Sequence, residues 1–223
     1  MIENAWNNGL GLTLGLTLLI LIVIIFLYYK AVRKRQIFLI ALSEELGFTF
    51  EKFITQERKE PYDVFDLMQT NTFNMSLENH VWGSEKDLDI ALFDAKSVLN
   101  DGETRRTSVV CIINKSQNIP DFYFGSKNLI SFKKDKRVHL DNRDDEIAHY
   151  VINGENKDAV KALFNDALID FLKMNNTLHI EVKANKMLCY VYGKRLKVTE
   201  YKSFLETAKY LYGLLCDTHK PKV

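Results

Sequence analysis

Hydrophobic residues follow three different patterns along this chain. Residues 9–29 include no charged side chain, which predicts one helix long enough to cross the roughly 30 Å hydrocarbon core of a bilayer. From Phe48 to Gly154, short apolar runs alternate with turn residues, as is typical of antiparallel strands. In residues 160–172 and 201–215 the apolar positions recur with the period of an amphipathic helix. We therefore predict an α+β protein, with an N-terminal transmembrane helix followed by a mainly antiparallel β domain and two amphipathic C-terminal helices that flank a hairpin.

Seven strands are predicted before the first amphipathic helix, and two more form the hairpin between the helices. The seven are Phe48–Phe53, Val64–Met68, Phe73–Val81, Leu88–Leu99, Thr104–Ile113, Asp121–Phe124 and Ile147–Ile152. The hairpin between the helices pairs residues 178–182 with residues 187–192, because apolar and polar residues alternate in the first of these segments.

The turn between the two longest predicted strands decides which side chains share a face. Asp101 and Gly102 suit a tight two-residue turn, since they tolerate the positive φ angles that it requires. With that turn, the pleat places Asp94 on the same face as Arg105 and Thr107. A one-residue change in the turn would invert this face, so the sequence assigns no binding role to the arginines.

The residues that flank the apolar run indicate its orientation. The eight residues before it carry only one charged side chain, Glu3, whereas Lys30, Arg33, Lys34 and Arg35 follow it directly. The positive-inside rule therefore places the N-terminus outside and the following domain in the cytoplasm. The four basic residues are expected to meet lipid headgroups at the membrane interface. A cleaved signal peptide is the alternative, but its basic residues would precede the apolar run.

The chain is predicted to comprise four segments. They are a short non-cytoplasmic N-terminus (residues 1–8), the transmembrane helix (9–29), a basic juxtamembrane helical stalk (30–47) and a cytoplasmic α+β domain (48–223), with a subdivision near residue 154 as the alternative. The stalk should end at Gly47, a residue suited to the position after a helix C-terminus. Gly11 and Gly15 form a GxxxG pair that would let two membrane helices approach, so a homodimer through this face is an alternative to a monomer.

Composition and charge exclude several classes of protein. The net charge of +1 comes from 30 basic and 29 acidic residues, so no overall field selects nucleic acid, and no nucleic-acid partner is predicted. Basic clusters at residues 105–106 and 133–137 are expected to face solvent or headgroups. Cys111, Cys189 and Cys216 are isolated, which indicates a reducing compartment and no disulfide framework.

No segment carries the pattern of a catalytic or metal site. The densest set of potential metal ligands is His139, Asp141, Asp144, Asp145, Glu146 and His149. This set lacks the turn glycine of a calcium loop and the partner helices of a di-metal bundle, so we predict a solvated linker and no metal or other cofactor. The motifs G-x-S-x-G and H-E-x-x-H and the phosphate-binding loops are absent, so no catalytic or cofactor-binding residue is assigned.

The segment Leu88–Asp94, followed by a short Gly-containing turn and by Arg105, Arg106 and Thr107, resembles a family of uncharacterised bacterial single-pass membrane proteins. In that family a single N-terminal membrane helix precedes a cytoplasmic α+β domain of similar length. The similarity extends from Leu46 to the closing helix. The resemblance implies a setting in the bacterial inner membrane, and it carries no assigned activity. This sequence has Asn100–Glu103 where the relatives are richer in Gly and Ser.

These observations predict location and architecture better than activity. We predict a membrane-anchored cytoplasmic interaction or scaffold domain that binds a protein partner or a membrane-surface ligand. The predicted partners are the lipid bilayer, a protein, and a second copy of the chain in the dimer alternative. The alternative function is a membrane-tethered hydrolase, because Ser, His and Asp side chains can converge from distant positions.

Overall fold

The structure is a computed structural model that describes residues 2–69, 74–98, 102–114, 116, 119–126 and 136–217, with the backbone alone for residues 2–11, 74, 141 and 142. Its α-helices are α1 (Ile2–Leu46), α2 (Gln56–Lys59), α3 (Asp66–Gln69), α4 (Lys157–Leu163), α5 (Asp166–Met174) and α6 (Tyr201–Asp217). Its strands are β1 (Thr49–Phe53), β2 (Asn74–Glu85), β3 (Leu88–Val98), β4 (Thr104–Ile113), β5 (Phe122–Ser126), β6 (Arg137–Val138), β7 (Tyr150–Gly154), β8 (His179–Lys183) and β9 (Lys186–Tyr190).

The described strands form one sheet in the order β1-β2-β3-β4-β9-β8-β5-β7-β6. Every pairing in this sheet is antiparallel. The predicted α+β class is therefore confirmed, with a long apolar N-terminal helix, an antiparallel sheet and C-terminal helices around a hairpin. The turn of that hairpin lies at Ala184 and Asn185, which both have positive φ.

Helix α1 joins an apolar N-terminal part to the domain without a break. By length and composition, Leu12–Leu46 could cross a membrane. The helix ends at the predicted position, where Gly47 has a φ of +68° and the amide of Phe48 donates to the carbonyl of Ser43 at 2.8 Å. Leu39 and Leu42 in the last turns are buried, so this end of α1 belongs to the core of the domain.

The sheet is covered on both faces. On the face toward α1, α4, α5 and α6, buried side chains such as Leu92 and Val110 form the larger core. On the opposite face, Phe93 and Val109 pack against the segment that contains α2 and α3. Burial on both faces explains why β3 and β4 each contain an uninterrupted apolar run, at residues 90–93 and 109–113, where a half-exposed strand would alternate with polar residues.

Three predicted strands differ from the structure in type or extent, and one of them, Phe73–Val81, continues to Glu85. Residues 64–68 were predicted as a strand, but they form a turn followed by α3, whose Leu67 and Met68 pack on the sheet. A short apolar run does not distinguish a strand from a buried helical turn. The predicted strand at 147–152 begins only at Tyr150, because residues 141–147 form a 3-10 helix.

The first amphipathic helix is also shorter than predicted, since it is divided into α4 and α5. The side chain of Asn165 accepts a hydrogen bond from the amide of Leu168 at 2.9 Å and begins a new helix there. The apolar period continues across the break, so the pattern alone joins the two helices.

The hairpin of β3 and β4 is confirmed, but the predicted pairing register of the two strands is wrong by one residue, so the predicted set of side chains on each face is wrong. Val98 pairs with Thr104, so residues 99–103 lie between the two strands. Asp94 therefore pairs with Ser108 and shares a face with it, and not with Arg105 or Thr107. Residues 99–101 of the turn lie outside the described residues.

Candidate functional site at the junction of α1 and the sheet

The four basic residues that follow the apolar run have two different environments. Lys30, Arg33 and Lys34 are exposed on α1, and their contact with headgroups stays a prediction. Arg35 is buried and has only 9% of its surface exposed, so its guanidinium points into the domain and not to a headgroup. Sequence reasoning assigned the same role to all four residues, because only the fold shows which face of α1 the sheet covers.

The partner of Arg35 is Asp94 in the middle of β3, whose side chain is fully buried. Arg35 binds Asp94 with two nitrogens, Nε at 3.1 Å from Oδ2 and Nη2 at 2.9 Å from Oδ1. Arg195 adds a second guanidinium, with its Nε 3.2 Å from Oδ2. Three neutral groups also donate to this carboxylate: the Ser108 and Tyr201 hydroxyls at 2.6 Å each and Asn79 Nδ2 at 2.9 Å.

These donors come from five separate parts of the chain. Ser108 faces Asp94 across β3 and β4, and Tyr201 begins α6. Asn79 lies where the register of β2 and β3 shifts, and its φ of +56° turns its side chain toward Asp94. Arg195 lies in the loop after β9, next to Leu196. We refer to Asp94 and its five donors as the Asp94 cluster.

The backbone of Leu196 ties the same loop to the cluster. The carbonyl of Leu196 accepts from Nη1 of Arg35 at 2.7 Å, and its amide donates to the Ser108 hydroxyl at 3.0 Å. Arg35 therefore contacts β3, the loop after β9 and the beginning of α6 at once. Such a set of buried, charge-assisted bonds fixes the angle between α1 and the sheet.

The electrostatics of Asp94 follow from this set of donors. Burial alone would raise the pKa of Asp94, but Arg35, the hydroxyls of Ser108 and Tyr201, and Arg195 outweigh that effect and hold the pKa below its ordinary value. Burial and the charge of Asp94 raise the pKa of Tyr201. Asp94 is therefore ionised, and donors bind both of its carboxylate oxygens. Its role is structural, because neither oxygen is free to act as a general base.

A second candidate site is a cavity of about 340 Å³ between β2, β3 and the segment around α2. Tyr62 and His80 line it, and the Tyr62 hydroxyl lies 3.0 Å from Nε2 of His80. The guanidinium of Arg58 covers the ring of Trp82 at 4.5 Å. Nε1 of Trp82 and Nδ1 of His80 are buried and have no hydrogen-bond partner among the described residues.

His80 is neutral near pH 7 in this cavity. Burial, followed by the nearby charge of Arg58, lowers its pKa to about 4. Burial also raises the pKa of the Tyr62 hydroxyl. The cavity can therefore offer hydrogen bonds, a cation and aromatic surface, which are the groups typical of binding sites.

The remaining sequence candidates do not assemble into a site. The side chains of His139 and Asp144 lie 2.7 Å apart, while Glu146 pairs with Arg143 and Lys173. Within the described part of the chain, no group of three or more His, Cys, Asp and Glu side chains could hold a metal ion.

Cys111 and Cys189 lie on the neighbouring strands β4 and β9, and both are buried. Burial raises the pKa values of Cys111 and Cys189 to about 12, so neither is a thiolate near neutral pH. Residues 133–135 of the second basic cluster lie outside the described residues. Arg105 and Arg106 of the first cluster share a cleft with Arg195.

Sequence reasoning missed Asp94 and His80 as site residues. The signal for Asp94 was present, because a carboxylate in the middle of an apolar strand is rarely buried without a partner. His80 had no comparable signal, since its strand contains other polar residues. Gly11 and Gly15 both lie in α1, and a Cβ added to Gly15 would meet no described atom within 4 Å. Their role in a dimer stays a prediction.

No protein-family model and no curated protein matches this chain. Among solved structures, the chain is similar to the crystal structure of the mycobacterial trehalose monomycolate transport factor A, TtfA. The two chains are 14% identical and superpose with a TM-score of 0.62 over 86% of this chain and 99% of that chain. At this identity the comparison shows a shared fold, and the fold is thus one that occurs in a bacterial protein.

Proposed function

We propose that this chain is a membrane-anchored, non-enzymatic accessory protein of the bacterial inner membrane, whose cytoplasmic domain holds a protein partner at a defined position on the bilayer. The observation that carries this proposal is the Asp94 cluster. It joins the helix that is long enough to cross the membrane directly to β3 and β4 of the sheet. A tethered enzyme needs only a flexible linker, whereas a scaffold benefits from a fixed orientation.

The structural comparison supports the same class of function. The protein with the shared fold is named as a transport factor for trehalose monomycolate, and its chain is covered almost completely. We therefore infer that the partner belongs to a membrane transport system. The identity of the transported compound is not part of this proposal, because fold similarity alone does not indicate which substrate a protein serves.

A membrane-tethered hydrolase is the second candidate, and one observation favours it. The neutral imidazole of His80 lies in an open cavity, where it could accept a proton. The test is turnover of generic ester, phosphate and peptide substrates by the full-length chain in detergent, beside the variant His80→Gln. We expect equal background rates for both chains. Turnover that is lost in His80→Gln would favour the hydrolase.

The main proposal is tested by in-cell crosslinking and mass spectrometry of proteins that copurify from native membranes. Three chains are compared: the wild type, a chain without residues 1–29, and a chain with a flexible Gly-Ser insertion after Val32. The insertion keeps the membrane helix and the Asp94 cluster but releases the fixed angle between bilayer and domain. We expect a specific membrane-protein partner with the wild type and loss of that partner in both variants.

Two results would contradict the proposal in different ways. A partner that is captured equally well by the chain with the flexible insertion would show that a fixed orientation is unnecessary. The absence of any specific partner with the wild type would contradict the scaffold function itself.

A further inference from the structure

A cleft of about 510 Å³ lies at the end of the sheet where β3 and β4 meet their connecting turn. It is lined by Glu103, Thr104, Arg105, Arg106, Tyr192, Gly193 and Arg195. We call it the basic cleft. Three arginines and one glutamate give its lining an excess of positive charge, although the chain as a whole is nearly neutral.

Two of the three arginines are held in place by other residues. Nη2 of Arg105 lies 3.0 Å from a carboxylate oxygen of Glu103, and its guanidinium lies 5.8 Å from the centre of the Tyr192 ring. Arg195 is oriented by its bond to Asp94. Side chains that are held before binding lose less conformational freedom when a ligand arrives.

Arg106 differs from the other two arginines. Its Nε is buried, and no described residue accepts a hydrogen bond from it. Because Arg106 pairs with Lys96 across the strands, a second cation lies beside it on the same face of the sheet. A buried donor without a partner costs free energy unless a ligand or water supplies an acceptor, so this atom indicates an anion.

The chemistry of the cleft fits a phosphate group. Guanidinium groups bind phosphate oxygens through paired, charge-assisted hydrogen bonds, and Arg106 and Arg195, which both lie on the Asp94 face of the sheet, can share a single phosphate. The carboxylate of Glu103 offsets one of the three guanidinium charges, and the positive charge that remains suits an anionic phosphate group.

The direction of α1 places the basic cleft on the membrane side of the domain. Just after α1, Thr49 pairs with Trp82, which itself pairs with Ala91 near the beginning of β3. Arg35, in contrast, lies at Asp94, farther along β3. Helix α1 therefore runs opposite to β3, and its residues before Arg35 continue toward the Val98 end of that strand.

Distances along the two elements agree with this placement. Tyr29, the last residue of the apolar run, lies six residues before Arg35. At 1.5 Å per residue, this stretch of helix is about 9 Å long. Val98 lies four residues after Asp94, and this stretch of strand is about 13 Å long. The end of the β3–β4 hairpin thus reaches the level at which the apolar run of α1 ends.

We propose that the basic cleft binds the phosphate of an anionic ligand, and that a membrane lipid headgroup is the source of that phosphate. This site does not depend on the protein partner proposed above. It would give the domain a second contact with the bilayer, in addition to α1, at the membrane-facing end of the sheet.

The test uses the full-length chain in detergent with added lipid, and native mass spectrometry of the lipid that stays bound. Phosphatidylglycerol is compared with phosphatidylcholine, whose choline cation cancels the phosphate charge. We expect the wild type to retain phosphatidylglycerol in preference to phosphatidylcholine. We expect Arg106→Gln to retain about tenfold less phosphatidylglycerol than the wild type, because one charge-assisted contact is lost. The control is Lys157→Gln, which removes the same charge from an exposed residue outside the cleft and should bind as the wild type does.

Inorganic phosphate alone distinguishes the two sources of the ligand. A preference for phosphatidylglycerol that is lost in Arg106→Gln supports the headgroup as ligand. Binding of inorganic phosphate that Arg106→Gln weakens, without any preference for phosphatidylglycerol, keeps the phosphate site but overturns the lipid source. If Arg106→Gln fails to fold, Arg105→Gln replaces it. Unchanged lipid retention in a folded variant of either arginine overturns the proposal.

Discussion

At the scale of single residues, two fully buried carboxylates behave in opposite ways because their donors differ. Asp94 is surrounded by two guanidinium groups and neutral donors, so its charged form is stabilised. Among the described residues, the donors to Glu181 on β8 are all neutral: the amide of Asp66 at 2.6 Å, that of Leu67 at 3.1 Å and the Tyr190 hydroxyl at 2.7 Å. Burial therefore raises the pKa of Glu181 to about 7, although these hydrogen bonds oppose the effect.

We expect Asp94→Asn to lower the free energy of unfolding by about 3–5 kcal/mol, because Arg35 and Arg195 would be left without a buried counter-charge. The measurement is urea unfolding of the full-length chain in detergent. Asp89→Asn on the same strand is the matched control, since Asp89 is exposed, and it should change the free energy by less than about 1 kcal/mol. Equal effects of the two substitutions would contradict the structural role of the Asp94 cluster.

The buried histidines and Glu181 make opposite contributions to stability as pH changes. Burial lowers the pKa values of His80 and His179 to about 4, so the unfolded chain binds more protons than the folded chain between pH 4 and 6.5, and stability falls on acidification. For Glu181, with a pKa of about 7, the folded chain binds more protons between about pH 4.5 and 7, so stability rises on acidification.

We therefore expect Glu181→Gln to lose stability more steeply than the wild type between pH 6.5 and 4.5, because the opposing contribution is removed. The measurement is the melting temperature of each full-length chain across this pH range. The exposed Glu44, changed to Gln, is the control and should follow the wild-type curve. Parallel curves for the wild type and Glu181→Gln would show that Glu181 titrates at its ordinary pKa.

At the scale of secondary-structure elements, α1 changes its role along its length. The side chains of residues 18–29 are all exposed, as expected for a helix that faces lipid. From Arg35 onward, one face is buried and the other is exposed, with Leu39 at 0% and Ile37 at 58%. The C-terminal part of the predicted stalk (residues 30–47) thus packs on the sheet with one face.

We expect Leu39→Ala to cost about 2–5 kcal/mol of unfolding free energy, since it leaves a cavity between α1 and the sheet. Ile37→Ala removes a similar side chain from the exposed face two residues earlier and should cost less than about 1 kcal/mol. Urea unfolding of both full-length chains provides the comparison. A cost for Ile37→Ala as large as that for Leu39→Ala would indicate that another molecule covers the exposed face.

At the scale of the whole molecule, one continuous helix and one sheet determine how the domain is held. The sheet includes strands from both sides of Gly154, so a boundary there would have to cross the β4–β9 and β5–β8 pairings. The Asp94 cluster joins α1 to this sheet near its centre. The orientation of the helix in the membrane therefore also decides which compartment contains the sheet.

We expect the N-terminus to lie outside and the sheet inside the cell, according to the positive-inside rule. Single cysteines at Ala5 and at Lys86, in a chain whose own three cysteines are replaced by Ser, are labelled in intact cells with a membrane-impermeant maleimide. The cysteine at position 5 should react in intact cells, and that at position 86 only after lysis. The reverse pattern would overturn both the orientation and the cytoplasmic location.

Local sequence patterns were sufficient to predict the secondary-structure elements that depend only on neighbouring residues. The long helix, its end at Gly47, the β3–β4 hairpin and α6 were all predictable, because each depends on apolar periodicity or on the chemistry of one turn. The break at Asn165 and the helix at 66–69 were not, because in both places the apolar spacing fits two structures. The face of the hairpin depended on a single residue in its turn, which no periodicity determines.

The amino-acid sequence alone was enough to predict an apolar N-terminal helix, a basic segment after it and an α+β domain, because hydrophobic runs and turn residues act over a few neighbours. The folded structure was needed to show that Arg35 faces inward to Asp94, that Glu181 and His80 are buried, and that three arginines from β4 and the loop after β9 line one cleft. These contacts join residues up to 166 positions apart, as Arg35 and Tyr201 are. Their partners are selected by the order and register of the strands, and not by adjacency in the chain.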